Sequence, residues 1–490
     1  MRPMESHAGF LFPSLINETS MDARRRFSLS ILILLLAILG LVPLIWPGDA
    51  PWINDEPKLV ELAMLCKESG MIPSHGLMGS RGILYGPFPL WTYTALLHVT
   101  DDLVDLVRLK ALLMTLITAV ALVWIAALCR SLDPPAGALA LLSPCLWLYH
   151  RQLWDNPFLI PLAALSAAAY LAFCVRPTAW KLWLAGFALT GMFLTHLMSV
   201  PWIVAVVAHF AWAQRARLRV RGANLPGIVL VSGLLTVPYL MKVFSGQPET
   251  VLQEGSPWKG WLFPLMGGRF FSSFDMDYFL GERWPSAGWV SFFHAVTWIA
   301  IPLVWLGIAQ AARRVWARLK TGEDLDAESH ATLICAAALA AQCLLNGLTR
   351  TYGHPHYYNA TWICSFYFLW VAFSAIPFRR LAQAAYAASL AVVLGFIIGS
   401  LHTTAGNQTI HYGPALAEQI RIAREVAHYH PASPVYPEIQ NYRLFPHAFR
   451  VIKKFYGFDG VETAPLTPLV IRARLPASEE GRLSLDVMPQ

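Results

Sequence analysis

The chain has 490 residues, of which 56% are hydrophobic and only 14% charged, with a mean hydropathy of +0.48 and a formal charge of +7. A soluble globular domain carries about 25% charged residues, so this composition excludes that class and points to a multi-pass membrane protein. The excess Lys and Arg sits in short loops between apolar runs, where it sets orientation, so the charge requires no nucleic-acid partner.

The first apolar run, from about Ser28 to Trp46, follows Arg24-Arg25-Arg26 and lacks an Ala-x-Ala cleavage site. It reads as a signal anchor, with residues before Met21 unstructured and Met21 a second candidate start. Further apolar segments lie near 104–129, 136–150, 157–175, 182–197, 199–213, 226–244, 289–310, 331–348, 359–376 and 382–401. The expected fold is therefore all-α and polytopic, with about eleven transmembrane helices. Every second connection is basic, from Arg24–Arg26 through Arg130, Arg176 with Lys181, Arg215–Arg221 and Arg313–Lys320 to Arg379 with Arg380. This alternation predicts a cytoplasmic N-terminus and an outer C-terminus. Seven cysteines, at 66, 129, 145, 174, 335, 343 and 364, form no CxxC pair and lie mostly in apolar runs, so they read as small hydrophobes.

Three regions divide the chain: a cytoplasmic segment 1–27, a membrane domain 28–401, and an outer segment or small domain 402–490. The long connections fall on the outer side, at 47–103 and 245–288. In the first, Leu59, Leu62, Ala63 and Cys66 recur at helical spacing, which predicts a helix lying along the interface. A second such stretch, Leu84 to His98, is expected to carry Phe88, Trp91 and Tyr93 at headgroup depth. The tail carries a basic cluster of Arg450, Lys453 and Lys454, read as a solvated face.

Asp55 and Glu56 stand where the chain leaves the first span, in Trp52-Ile53-Asn54-Asp55-Glu56-Pro57. Ionisable groups at the mouth of a membrane bundle mark chemistry or transport. The plainer account is a helix start, with Asn54 or Asp55 capping and Pro57 in the first turn. A second carboxylate, Asp155 of Asp155-Asn156-Pro157, opens the fourth span on the same side, and it too could cap a helix. Two outer turns each presenting a carboxylate can converge on one cavity.

Asn54-Asp55-Glu56-Pro57 after a single N-terminal span resembles the Asp-Glu motif of GT-C glycosyltransferases. The likeness is to the branch holding protein O-mannosyltransferases and the lipid A aminoarabinose transferase. Gly86-Pro87-Phe88-Pro89-Leu90-Trp91, Asp155-Asn156-Pro157-Phe158-Leu159 and His354-Pro355-His356-Tyr357-Tyr358 resemble later motifs of that branch, in order and on one side. The resemblance covers about 28–401. It implies a polyprenyl-phosphate sugar donor, transfer to a lipid, glycan or protein acceptor at the outer face, and Asp55 as catalytic carboxylate with Glu56 and Asp155 beside it. Direct displacement at an anomeric carbon needs a base for the acceptor hydroxyl and cations for the leaving phosphate. Arg81, Arg269 and Arg350, all on outer loops, are candidates for that grip, though each could instead anchor lipid headgroups. His354, His356 and Tyr357 are further candidates for substrate binding. The branch often carries Lys or Glu where this chain has Tyr85 and Gly86. A phosphate-binding Lys and a metal-ligating Glu are thus missing there, so no cofactor is established and a divalent metal stays an open possibility. Asp275-Met276-Asp277 spells Asp-x-Asp but falls outside, where no nucleotide sugar is expected.

The localisation implied is a bacterial inner membrane with the site facing outward, in contact with membrane lipids. The competing reading is a transporter or lipid flippase. Transporters tend to show paired halves with polar sites near the midplane, whereas here the acids sit at outer ends and no repeat is visible.

Overall fold

The computed structural model describes residues 23–53, 55–79, 82–213, 224–245, 287–350, 355–406, 412, 414–429, 435–438, 445–457, 469–474 and 484–489. The architecture is an all-α membrane bundle with a small sheet near its C-terminus. Helix α1 (Ala23–Leu39) leads through short 3-10 turns to α2 (Asp55–Ser69) and α3 (Phe88–Leu97). The bundle continues with α4 (Leu103–Leu128), α5 (Pro144–Arg151), α6 (Leu159–Val175), α7 (Ala179–Phe193), α8 (Val200–Ala213) and α9 (Asn224–Ser245). Helices α10 (Ala287–Thr321), α11 (Ala327–Thr349), α12 (Trp362–Ala375) and α13 (Arg379–Thr404) complete it. The tail adds α14 (Leu416–Tyr429), β1 (Val435–Glu438), α15 (Phe445–Phe455), β2 (Leu469–Arg474) and β3 (Ser484–Pro489). Strand β2 pairs parallel with β1 and antiparallel with β3.

Seven described helical segments are long and apolar enough to cross a bilayer: Ala23–Leu44, Leu103–Leu128, Asn156–Val175, Asn224–Ser245, Ser291–Thr321, Ala327–Thr349 and Arg379–Thr404. The other four segments read as spans are short or broken. Helix α7 has 15 residues, α12 has 14, and Leu197–Ala213 is a shorter apolar helix. The segment 136–150 is divided by its own sequence. Pro144 disfavours helical geometry at the preceding residue, and Ser143 is extended (φ −66°, ψ 122°), separating the 3-10 helix Pro134–Leu142 from α5.

The core draws on the bundle helices from α1 to α13 except α9, and takes in the inner faces of α2 and α3. Close approaches use glycine. A Cβ on Gly307 would fall 1.8 Å from the Phe368 carbonyl oxygen, which brings α10 directly onto the backbone of α12.

The tail folds back onto the first outer loop. Trp52, fully buried, donates its indole N–H to Ala448 O at 3.0 Å. Gln419 donates to Trp52 O (2.7 Å), Leu416 N to Ala50 O (3.0 Å) and Tyr412 to Asp49 O (2.6 Å). The Trp46 and His402 rings stack 3.7 Å apart. In the expected solvated cluster of the tail, Arg450 is exposed while Lys453 and Lys454 are half-buried.

Candidate active site

Helix α2 opens with Asp55, Glu56 and Pro57, a favourable order because acids face the positive end of the helix dipole and Pro suits the first turn. Asp55 is the first helical residue, and Asn54 lies outside the described residues. Its side chain is 31% exposed and pairs with Lys58 Nζ at 3.3 Å. Glu56 turns inward, and its Oε1 accepts a hydrogen bond of 2.7 Å from Gln152 Nε2. Two adjacent residues of one turn thus meet different surroundings, one solvent and one the bundle.

The other wall is the turn between α5 and α6. Asp155 is 1% exposed, and its Oδ1 accepts from Asn156 N at 2.6 Å, so the capping role is real. Its second oxygen, Oδ2, is buried without a hydrogen-bond partner among the described residues. Burial, followed by the charges of Asp55 and Glu56, pushes the Asp155 carboxyl up from 3.8 to about 8, against the opposing pull of backbone N–H groups. The group is therefore mostly protonated at neutral pH. Asp55, Glu56 and Asp155 are close enough for the charges of the first two to act on the third. Other buried polar atoms without partners crowd the same turn: Gln152 Oε1, Trp154 Nε1 and the Asn156 side-chain amide.

Two further residues, of which only Tyr93 was singled out in the sequence, hold this turn in place. Lys110 of α4, fully buried, donates to Tyr149 O at 2.7 Å and Gln152 O at 2.6 Å. Tyr93, expected at headgroup depth, is instead fully buried and donates its hydroxyl to Trp154 O at 3.0 Å. Burial raises the Tyr93 phenol, and the Asp155 and Glu56 charges add to the shift. Lys110 did carry a signal, being an ionisable residue inside an apolar run; Gln152 carried none.

The late outer loop arrives at the same place. The His356 ring meets Trp154 edge-on at 4.8 Å and Tyr357 at 4.3 Å. Arg350 ends α11 in the left-handed region (φ 54°) and is exposed, with no contact to the acids among the described residues. Arg81, Arg269, His354, Asp275 and Asp277 lie outside the described residues.

Gly86 explains the departure at that position. A Cβ there would fall 1.9 Å from Leu194 O, because the chain packs backbone to backbone, with Phe88 N donating to Leu194 O at 3.0 Å. No side chain fits at this point, so neither a phosphate-binding Lys nor a metal-ligating Glu can stand there. The residues present do not fit a metal held from that position.

A pair of short helices after one span, acids gathered from two turns of the bundle and a tail folded onto the first loop characterise this membrane fold. Two solved structures of ArnT from Cupriavidus metallidurans share it. The apo form matches with a TM-score of 0.53 at 15% identity over 85% of this chain and 84% of that one. The form bound to undecaprenyl phosphate matches with a TM-score of 0.51 at 15% identity over 90% and 93%. No protein-family model and no curated protein sequence matches the chain.

Proposed function

We propose that this protein is a glycosyltransferase that moves a sugar from a polyprenyl-phosphate donor to an acceptor hydroxyl at the outer face of a bacterial inner membrane. The observation that carries the reading is the convergence of Asp55, Glu56 and Asp155 from two separate turns, with Asp55 alone reaching solvent. Asp55 takes the proton of the acceptor hydroxyl as that oxygen attacks the anomeric carbon and the lipid phosphate departs. Glu56, pinned by Gln152, is not available as the base. Asp155, neutral and with Oδ2 unclaimed, donates a hydrogen bond that orients the sugar or the acceptor.

The leaving phosphate requires cations, and Arg350 is the described candidate beside Arg81 and Arg269. His356 and Tyr357, against Trp154, line the approach to the acids, with His354 beside them in sequence. An apolar groove of about 610 Å³ between α1 and α4, lined by Leu36, Gly40, Leu112 and Leu116, suits a prenyl chain. The fold shared with a transferase solved with undecaprenyl phosphate bound supports the same donor class. No step is routed through a metal.

The test is turnover by purified protein given undecaprenyl-phosphate sugars and membrane glycolipid acceptors. Asp55→Asn is expected to lose about a hundred- to ten-thousandfold in rate, while its melting temperature stays within a few degrees of the parent. Near-normal turnover in that variant overturns Asp55 as base. Movement of lipid across vesicles without any turnover would favour the flippase instead.

A further inference from the structure

A second polar cluster lies at the other end of α6, where the proposed transfer chemistry has no use for it. Cys174 occupies the last turn of α6, fifteen residues beyond Leu159, or roughly 22 Å along the axis. His209 comes from α8 and His330 from the first turn of α11. All three are buried, with 3%, 6% and 7% of their surfaces exposed, and one ligand atom from each lies within 4.8 Å of the others. His209 Nε2 and His330 Nδ1 are 3.2 Å apart. Two nitrogens bound tetrahedrally to one zinc at about 2.0–2.1 Å each stand roughly 3.3 Å from one another. Tyr170, one turn before Cys174, touches both sides of the group: its hydroxyl is 2.9 Å from His209 Nδ1 and also meets the Cys174 thiol.

We propose that Cys174, His209 and His330 form a transition-metal site that ties α6, α8 and α11 together away from the acidic cluster. One thiolate and two imidazoles are too soft a set for Mg²⁺ or Ca²⁺ and suit zinc. Binding expels the Cys174 thiol proton and requires His209 Nε2 to present its lone pair. The His209 proton then sits on Nδ1 and is donated to the Tyr170 oxygen, while the Tyr170 hydroxyl donates to the Cys174 sulfur. That is the outer support a ligating histidine ordinarily has. Cys174 and His209 also lie toward the C-terminal ends of α6 and α8, whose dipoles favour a cation. Without an ion, the same contacts make a hydrogen-bonded Tyr170–His209–His330 relay beside a protonated thiol. The experiment separates these two states.

Protein purified without chelator is analysed for metal by mass spectrometry, stripped, and reloaded with Co²⁺. The expected result is about one zinc per chain and a thiolate-to-cobalt charge-transfer band. Both are lost in Cys174→Ser and His330→Ala and kept in Cys343→Ser, whose half-buried thiol is elsewhere on α11. Should those variants fail to fold, alkylation of Cys174 is followed in the parent protein with and without added Zn²⁺. Protection by zinc that a chelator reverses supports the site. Equal alkylation, a metal-free parent without the cobalt band, or metal retained in both ligand variants overturns it.

Discussion

Gln152 donates its amide to the Glu56 carboxylate at 2.7 Å, joining the first outer loop to the turn before α6. The bond fixes Glu56 inward and leaves Asp55, the next residue back, facing solvent. Asp155 resists ionisation chiefly because it is buried, then because of the Asp55 charge, with the Glu56 charge adding least.

The raised Asp155 carboxyl predicts a pH dependence of stability. Its folded value, about 8, lies above the ordinary 3.8 of the unfolded chain, so between these values the folded protein holds a proton that the unfolded chain releases. The contribution is intact below about 3.8 and is lost as pH rises toward 8, by about 1.4 kcal/mol per unit within that window. The melting temperature of the parent is expected to fall between pH 5 and 8 more steeply than that of Asp155→Asn. Parallel profiles would refute the assignment.

Lys110→Met removes the donor to two buried carbonyls, those of Tyr149 and Gln152. Gln152 O keeps the Trp154 N–H at 2.8 Å, so the cost is that of losing hydrogen bonds from a charged donor, about 1.5–3 kcal/mol each, partly offset because no ammonium is then buried. The expected outcome is a lower melting temperature and a loose 149–156 turn, read as faster hydrogen exchange there. A melting temperature equal to or above the parent's would show that Lys110 does not hold the turn.

Gln419→Leu is expected to weaken the clasp of the tail on the first loop. It strips Trp52 O and Pro414 O of their donor, at about 1–3 kcal/mol. Trp52 should then become more accessible to an aqueous quencher of fluorescence. Unchanged quenching and stability together would mean that the clasp rests on other contacts.

Orientation is testable with reporter fusions after Arg221 and after Gln490, which the alternation of basic connections puts on opposite sides of the membrane. Signals from the same side would remove both the eleven-span topology and the outward-facing site.

Much of the site could be read in the sequence because charge is costly in a membrane chain, so Asp55, Glu56 and Asp155 stand out from apolar surroundings. Every apolar segment identified there is helical in the structure. The count of crossings was harder, since hydropathy over 136–150 does not register the backbone break that Pro144 imposes. Gln152 was illegible because a neutral amide in a short turn has no pattern until its partner, 96 residues away, is known. Tyr93 was placed at the membrane surface by its amphipathic chemistry, whereas its hydroxyl is satisfied inside the bundle. The fold of the tail onto the first loop depends on contacts between distant parts of the chain, which local periodicity cannot carry.

The bond from Trp52 to Ala448 joins residues 396 positions apart. At roughly 5–20 residues per second of synthesis, the first outer loop waits on the order of 20–80 s for its partner to be made. Through that interval the first loop stands without the tail helices that pack on it. The fold is thus closed only when its tail is made, and a nascent chain halted before α15 would be inserted in the membrane with its first loop unclasped.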